Sequence, residues 1–345
     1  MRALLVLLFV VNAVAAETNA PGSNTIAPSY APSRIIKAIH WAPKSEIIRL
    51  AKGSDNWPTT WGKDDLLYTA YGDGNGFEPY TARKLSLGMA IIHGEPPNVV
   101  GENVPTNPEY FGAGAAGIKA SGLLMLDDTL FMWQRNVTNS QLAWSIDHGH
   151  TWSPAPWKFK TSFGCPTFLN FGPNYSGARD EFVYIYSLDA DSAYKAADRF
   201  VLARVHKHKI KEHESYEFFR EIDVLGKPVW TKNIAERGAV FTFTNNCYRS
   251  GITYDAGLKR YLWCQVLPTS KHPQGPRFQG GFGTYEAPEP WGPWTTVFFT
   301  TDWDVGPGET SSFPTKWMSN DGKTVYLLFS GDDSFSIRKA TFELN

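Results

Sequence analysis

The sequence predicts an all-β fold, namely a five-bladed β-propeller with enlarged loops. Three observations lead to this prediction. Short strand patterns dominate after residue 35, a small strand unit recurs five times, and one turn has the Asp-box pattern of propeller hairpins. The 30 Gly and 23 Pro residues are consistent with many short elements joined by turns.

Composition limits the classes of function. The chain has 345 residues, with 33 Lys and Arg against 34 Asp and Glu, so its formal net charge is −1. A nucleic-acid-binding protein would normally carry a basic excess, so we expect no nucleic-acid partner. Charged residues make up 19% of the chain and aromatic residues 14%, including 13 Trp, which is enough apolar surface for a folded core.

The first 16 residues have the pattern of a secretory signal peptide. Arg2 precedes the apolar run Leu4–Val11, and Ala13–Ala16 provides a small-residue cleavage site. We therefore predict that the protein is secreted to the periplasm or the extracellular space. Residues 17–34 are expected to form a flexible leader and residues 35–345 a single domain. No other segment approaches the ~20 apolar residues that a membrane span needs.

Strand patterns follow one another along the chain, either alternating or continuously apolar, between Gly, Asp and Asn turns. The clearest are Leu66–Tyr71, Leu123–Met125, Thr129–Trp133, Phe182–Tyr186, Phe200–Val205, Arg260–Val266, Thr295–Thr300 and Thr324–Ser330. The best helical pattern, His206–Arg220, is charged and broken.

Five similar segments each introduce a short apolar strand, and each contains a Pro-Thr or Ser-Gly pair. They are Asn56–Thr59, Lys119–Gly122, Gly164–Thr167, Tyr248–Gly251 and Ser312–Thr315. Five copies of a strand unit predict five blades. Either Ile36–Trp41 or Glu46–Leu50 is expected to complete the last blade beside Ser336–Phe342, which would join the two ends of the chain and remove an exposed edge.

The stretch Ser145–Trp152 fits the Asp-box pattern S-x-D-x-G-x-T-W. We expect Asp147 and Thr151 to hydrogen-bond the turn and Trp152 to pack beneath it, so the motif has a structural role. Ser319–Thr324 is a partial copy.

Two of the three cysteines, Cys247 and Cys264, are nearly symmetric about the turn Asp255–Gly257. They could face each other across a hairpin and form a disulfide, or be two buried thiols, and the sequence leaves both open.

Polar residues mark the starts of the innermost strands, where ligand sites of propellers commonly form. Aromatic rings beside carboxylates, amides and Arg in a secreted protein favour a sugar ligand. Glycoside hydrolysis needs two carboxyl groups, and we predict Asp55 as the base or nucleophile and Glu309 as the acid. The predicted substrate-binding residues are Asn56, Trp57, Lys119, Tyr248, Arg249, Asp191 and Tyr194.

Two other classes of function stay open. A polysaccharide lyase would need a cation to neutralise a uronate and a base to remove the α-proton, which Arg249, Lys119 and Tyr248 could supply. A non-catalytic glycan-binding propeller would keep its ligand without cleaving it.

We expect a monomer that requires no cofactor. Lysines interleave His206, His208 and His213, which indicates a solvated face rather than a metal site. The Gly-rich loop around Asp73 predicts a turn or a cation-binding loop. Whether a structural calcium ion lies on the axis stays open.

Several long stretches resemble, in order, a bacterial domain-of-unknown-function family, number 4185, over nearly all of residues 45–345. They are Ser54–Trp61 with Tyr71–Gly74, Leu85–Gly88, Thr161–Phe168 and Gly331–Ser336. Some members of that family are endo-D-arabinanases, and the family is similar to five-bladed furanosidases in which an Asp at the first inner strand acts as base. The resemblance implies a glycosidase on an arabinan-like furanoside and assigns the base to Asp55. The resemblance does not assign the catalytic acid to Glu309.

Overall fold

The computed structural model describes residues 26–345, which form five antiparallel sheets arranged as a five-bladed β-propeller. This confirms the predicted fold class. The predicted signal peptide, residues 1–16, lies outside the described residues. Within residues 26–345, no helix is both long enough and apolar enough to cross a membrane.

The first two strands of residues 26–345 are used by the last blade, and two complete four-stranded blades follow them. The early strands are β1 (Ile36–Trp41) and β2 (Ile48–Leu50). Blade 1 contains β3 (Thr59–Trp61), β4 (Leu67–Tyr71), β5 (Gly88–Glu95) and β6 (Asn98–Val104). Blade 2 contains β7 (Lys119–Leu126), β8 (Thr129–Arg135), β9 (Ser140–Ser145) and β10 (Ser153–Pro154).

Blade 3 is the enlarged one. It contains β11 (Thr167–Phe168), β12 (Phe182–Leu188), β13 (Ala197–His206), β14 (Glu217–Ile222) and β15 (Pro228–Thr231), and β16 (Phe241–Cys247) pairs with the first part of β13. The segment with the best helical pattern, His206–Arg220, contains two 3₁₀ turns and then enters β14. The charged residues of this segment are typical of an exposed connection between two strands.

Blades 4 and 5 complete the ring. Blade 4 contains β17 (Ser250–Asp255), β18 (Arg260–Val266), β19 (Phe282–Ala287) and β20 (Thr295–Thr300). Blade 5 contains β21 (Ser311–Ser312), β22 (Thr324–Phe329) and β23 (Phe335–Leu344). Both β1 and β2 pair antiparallel with β23, so the N-terminal strands close the last blade as predicted.

Within residues 26–345, the helical structure consists of short 3₁₀ turns. They are Lys44–Glu46, Gly114–Ala116, Pro173–Tyr175, Lys207–Lys209, His213–Ser215, Ile234–Glu236, Gly275–Arg277 and Thr315–Trp317.

Apolar side chains fill the spaces between blades. All eight residues of β7 are buried, because a blade is covered on both faces by its neighbours. Tryptophans contribute much of this packing: Trp133, Trp263 and Trp303 belong to apolar clusters that join adjacent blades. The many aromatic residues of the chain therefore contribute mainly to the core.

The inner strands pack closely around the axis, which explains the repeated Ser-Gly pairs. A Cβ atom on Gly122 would stand 2.8 Å from Thr167 Cα of the next inner strand, and one on Gly251 would collide with the backbone of Ser311. A side chain at either position would force two blades apart. The axis retains a narrow cavity of about 30 Å³, lined by residues from all five inner strands.

The Asp box forms the predicted turn. Asp147 accepts hydrogen bonds from the Thr151 hydroxyl at 2.6 Å and the Ser145 hydroxyl at 2.7 Å. The Trp152 indole is nearly buried and donates to Gly149 O at 3.0 Å. This stretch therefore shapes a hairpin of blade 2.

The cysteines do not form the disulfide that was considered. Cys247 ends β16 and lies opposite Ala197, whereas Cys264 lies in β18 opposite Gly251. They belong to different blades because the hairpin partner of β18 begins only at Ser250, and both are buried free thiols.

Residues 26–34, which belong to the predicted leader, lie against blades 3 and 4. Pro32 forms a parallel bridge with Thr296 of β20. The Tyr30 ring packs 4.9 Å from that of Phe241, in β16. This part of the leader thus covers a seam between two blades.

Candidate active site at the axis

The candidate site lies at the end of the axis where the inner strands begin. Because β7 and β8 are antiparallel, the end of β8 lies beside the start of β7, and Arg135 is directly opposite Lys119. In each blade, the residues at the start of the first strand and those at the end of the second strand therefore lie at the same edge.

Asp55 is held at this edge by the backbone just before β3. Its N–H donates to Gly72 O at 2.9 Å, and its carbonyl accepts from Gly72 N at 2.7 Å. Only 3% of the residue is exposed, and Oδ1 has no hydrogen-bond partner among the described residues. Asp55 thus has one carboxyl oxygen without a hydrogen-bond partner from this part of the chain, in an environment that is almost closed to solvent.

Lys119 and Asp73 form a buried ion pair beside Asp55. Lys119 Nζ lies 2.6 Å from Asp73 Oδ1, and the other carboxylate oxygen of Asp73 accepts from the N–H of Gly114 at 3.0 Å. The Asp73 loop, for which a turn or a cation site was expected, therefore holds a lysine ammonium group.

Glu309 approaches from the loop before β21 and forms an ion pair with Arg249, whose side chain is 1% exposed. Gly308, at φ +81°, gives the turn a conformation that favours glycine, and Ser330 Oγ accepts the Glu309 N–H at 2.6 Å. Arg249 also donates through Nε to Ala193 O at 3.2 Å, which fixes its guanidinium in the site.

The environments of the two carboxyl groups shift their pKa values in opposite directions. Burial, and then the neighbouring Glu309 carboxylate, raise the pKa of Asp55 to about 7. Burial also acts to raise the pKa of Glu309, but the charges of Arg249 and Arg135 outweigh it and hold that pKa below its usual value. One group is poised to hold a proton and the other to be ionised near neutral pH.

The blade 3 insertion supplies the aromatic side of the site. Two guanidinium groups lie close to the Tyr194 ring, with the carbon of Arg249 5.1 Å and that of Arg135 5.3 Å from its centroid. Tyr194 is 39% exposed, so one part of the ring is open to a ligand. The centroid of the Tyr248 ring also lies 5.0 Å from the guanidinium carbon of Arg249.

Asp191 is exposed, and one of its carboxylate oxygens contacts a neighbouring loop. Its Oδ1 accepts the N–H of Ser162 at 2.6 Å, in a turn where Ser162 and Phe163 have positive φ. The contact fastens the insertion that carries Tyr194 and makes Asp191 a positioning residue.

Two predicted substrate-binding residues, Asn56 and Trp57, are buried in contacts between blades. Trp57 is 2% exposed, packs against Phe77 and Phe335, and donates to Ser334 O at 3.1 Å. Asn56 donates to Ala120 O at 2.6 Å and so joins blade 1 to blade 2. Both are buried connectors, and no ring face of Trp57 is left for a sugar.

Sequence reasoning missed Arg135, the most buried charged group of the site. Its exposure is 0%, and none of its three guanidinium nitrogens has a hydrogen-bond partner among residues 26–345. The available signal was a charge that ends an otherwise apolar strand, β8, opposite a residue already assigned to the site.

No metal cluster is formed by the part of the chain that the structure describes. Groups of three or more His, Cys, Asp or Glu side chains placed to hold an ion are absent from residues 26–345.

Neither a protein-family model nor a curated protein matches the sequence, so the resemblance to family number 4185 is not confirmed. Solved structures do match. A protein of Bacteroides ovatus described provisionally as a hydrolase has a TM-score of 0.52 at 12% identity, over 88% of this chain and 93% of its own. At this identity the likeness shows the propeller fold alone.

Two further structures match with lower scores. A GH43_1 enzyme of Xanthomonas citri has a TM-score of 0.48 at 12% identity, over 86% of this chain and 91% of its own. The catalytic domain of a Coprinopsis cinerea GH62 α-L-arabinofuranosidase has a TM-score of 0.47 at 9% identity, over 92% of this chain and 98% of its own.

Proposed function

We propose that the protein is a secreted, monomeric glycoside hydrolase that cleaves a polysaccharide with Asp55 and Glu309. The observation that carries the proposal is the pair of carboxyl groups at the axis, the buried Asp55 with a raised pKa and the partly buried Glu309 with a lowered pKa. Hydrolysis of a glycosidic bond uses one carboxyl group as a proton donor and a second as an ionised base or nucleophile. No cofactor is required for this chemistry.

The pKa directions favour one division of roles between the two groups. Asp55, with a pKa of about 7, would donate a proton to the leaving oxygen, and ionised Glu309 would act as base or nucleophile. This is the reverse of the division predicted from the sequence and, for Asp55, from the family resemblance. Arg249 positions Glu309, the charge of Lys119 acts on Asp55, and Tyr194 offers a ring for a sugar face.

The environment of Tyr248 disfavours this residue as the base of the lyase alternative. Burial raises the pKa of its phenol, whereas a tyrosine that removes an α-proton needs a pKa close to the working pH.

The proposal is tested with purified protein on D-arabinan, L-arabinan, pectins and uronic glycans, with reducing ends measured together with ultraviolet absorption. An arabinan-like furanoside is the substrate implied by the family resemblance. New reducing ends without an unsaturated uronate support hydrolysis. Absorption from an unsaturated uronate would instead identify a lyase, and binding without products a glycan-binding propeller.

Variants then separate the two roles. On polysaccharide, Asp55→Asn and Glu309→Gln are each expected to lower kcat by about 10²- to 10⁴-fold. On an aryl glycoside, whose leaving group needs no proton, Asp55→Asn should retain most activity and Glu309→Gln should not. Asp255→Asn is the matched control, because Asp255 is a buried carboxyl with a raised pKa at the far end of β17. Full activity in both site variants would overturn the assignment.

A further inference from the structure

The guanidinium of Arg135 is buried without a partner from the described chain. It forms no ion pair, and Nε, Nη1 and Nη2 all lack a hydrogen-bond acceptor among residues 26–345. Taking a charged group out of water is strongly unfavourable unless it is paired. A side chain of this kind at the axis points to a ligand that brings its own negative charge.

A second guanidinium has a free donor close by. Arg249 uses Nη1 for Glu309 and Nε for Ala193, but its Nη2 has no partner among the described residues. Arg135 and Arg249 lie about equally far from the Tyr194 ring, at 5.3 and 5.1 Å. Free donors from two blades therefore converge beside one partly exposed aromatic ring.

The charges of the site do not balance locally. Lys119 is paired with Asp73, and Arg249 is paired with Glu309. Asp55 and Arg135 remain, and burial holds Asp55 largely protonated below about pH 7. These six groups then carry one net positive charge, and Arg135 is the cation among them without an ion-pair contact, although its charge also acts on Glu309.

We propose that Arg135 and the free Nη2 of Arg249 bind an oxyanionic group, a carboxylate or a sulfate, carried by the sugar that occupies the site. A guanidinium matches two oxygens of such a group with parallel hydrogen bonds. The inference rests on the proposed function, because it places the group on the glycan that Asp55 and Glu309 cleave. It makes the substrate an acidic glycan rather than the neutral arabinan implied by the family resemblance.

The test compares an acid with its own neutral form. Calorimetry measures binding of a uronic acid oligosaccharide, its methyl ester and a sulfated oligosaccharide of the same length. Asp55→Asn serves as the host, because Asn replaces a protonated carboxyl group and slows turnover. We expect a charged oligosaccharide to bind about 10- to 100-fold more tightly than the methyl ester. The better of the two charged ligands identifies the group as carboxylate or sulfate.

Substitution of the arginine then locates the effect. In the same host, Arg135→Met should abolish the preference for the charged ligand, and Arg135→Lys should reduce it by losing the two-pronged contact. Arg338→Met is the matched control, because Arg338 is buried in blade 5 and paired with Asp304. It should keep the preference, and circular dichroism establishes that each variant is folded.

The outcomes separate this inference from the proposed function. Equal binding of acid, sulfate and ester, or a preference that survives Arg135→Met, overturns the anion site even if arabinan is hydrolysed. Tight binding of the charged ligand without any cleavage by the wild-type protein supports the anion site and overturns the hydrolase. An unsaturated uronate product also supports the anion site while replacing hydrolysis by elimination.

Discussion

Removal of the Lys119 charge should move the pH dependence of the reaction. If Asp55 is the proton donor, kcat/KM falls as the pH rises through its pKa in the free enzyme, which is about 7. The positive charge of Lys119 lowers that pKa against burial and Glu309. Lys119→Met takes this charge away and leaves Asp73 without its partner, so the alkaline limb of the profile should move to higher pH.

The size of the shift follows from the geometry around Gly72. The position of a Cβ on Gly72 is 2.8 Å from Asp55 Oδ1 and 3.4 Å from Lys119 Nζ, so the two groups are at most about 6 Å apart. A unit charge at about 6 Å with an effective dielectric constant of about 20 contributes about 3 kcal/mol, or about 2 pKa units. We expect an upward shift of about one to two units.

The assay is kcat/KM on the substrate found in the screen, measured between pH 4 and 9 or so, where the profile should be bell-shaped. Titration of ¹³C-labelled Asp carboxyl groups by NMR gives the same pKa without a substrate. Lys316→Met is the matched control, because Lys316 is a buried lysine paired with Asp65 and has no part in the site. An alkaline limb that stays in place, or moves to lower pH, would refute the proton-donor role of Asp55.

Three further perturbations test the site and its frame. Gly72→Ala puts a Cβ 2.8 Å from Asp55 Oδ1 and should lower kcat about 100-fold with little change in circular dichroism; unchanged kcat would show that the carboxyl group tolerates displacement. Arg249→Met leaves Glu309 buried without its ion-pair partner, so denaturant unfolding should show a loss of about 3 kcal/mol, and the acid limb of the profile should move to higher pH. Asp147→Ala removes the hydrogen bonds of the Asp box and should cost about 2 kcal/mol at neutral pH with unchanged activity per folded molecule. Since those bonds hold the pKa of Asp147 down to about 2, the difference from wild type in thermal unfolding should shrink as the pH falls towards 2.

The fold was predictable because its geometry imposes a local rule on the sequence. Inner strands at the axis approach so closely that Gly122 and Gly251 have no room for a Cβ, and this requirement recurs in blades 2 and 4. The ring closure was predictable for a related reason: an unpaired β23 would expose an edge, and only the early strands remained to cover it.

The site was predictable only in part. Asp55, Lys119, Arg249 and Glu309 could be placed together because each lies at or just before the start of an inner strand. The burial of their aromatic neighbours could not be inferred in the same way. An aromatic residue near the start of an inner strand can face either the site or the space between blades. Trp57 faces the latter.

Arg135 shows what was missing from the sequence argument. In an antiparallel hairpin the end of the second strand returns to the edge where the first begins, so both sets of residues belong to the site. Asp73, which follows β4, obeys the same rule. In any propeller sequence, the residues at the ends of the second strands are therefore a second group of candidate site residues, besides those at the starts of the first strands.

The overall charge of the chain conceals the charge of the site. The net charge of −1 shows that the chain as a whole is not basic. At the axis, three buried cations and three carboxyl groups likewise have a summed formal charge of zero. What decides the ligand is how these groups are paired. Two ion pairs account for four of them, and the raised pKa of Asp55 removes a negative charge below about pH 7. A neutral protein can therefore present one uncompensated guanidinium, that of Arg135, to its substrate, and the affinity for an acidic sugar should weaken as the pH rises through about 7 and Asp55 ionises.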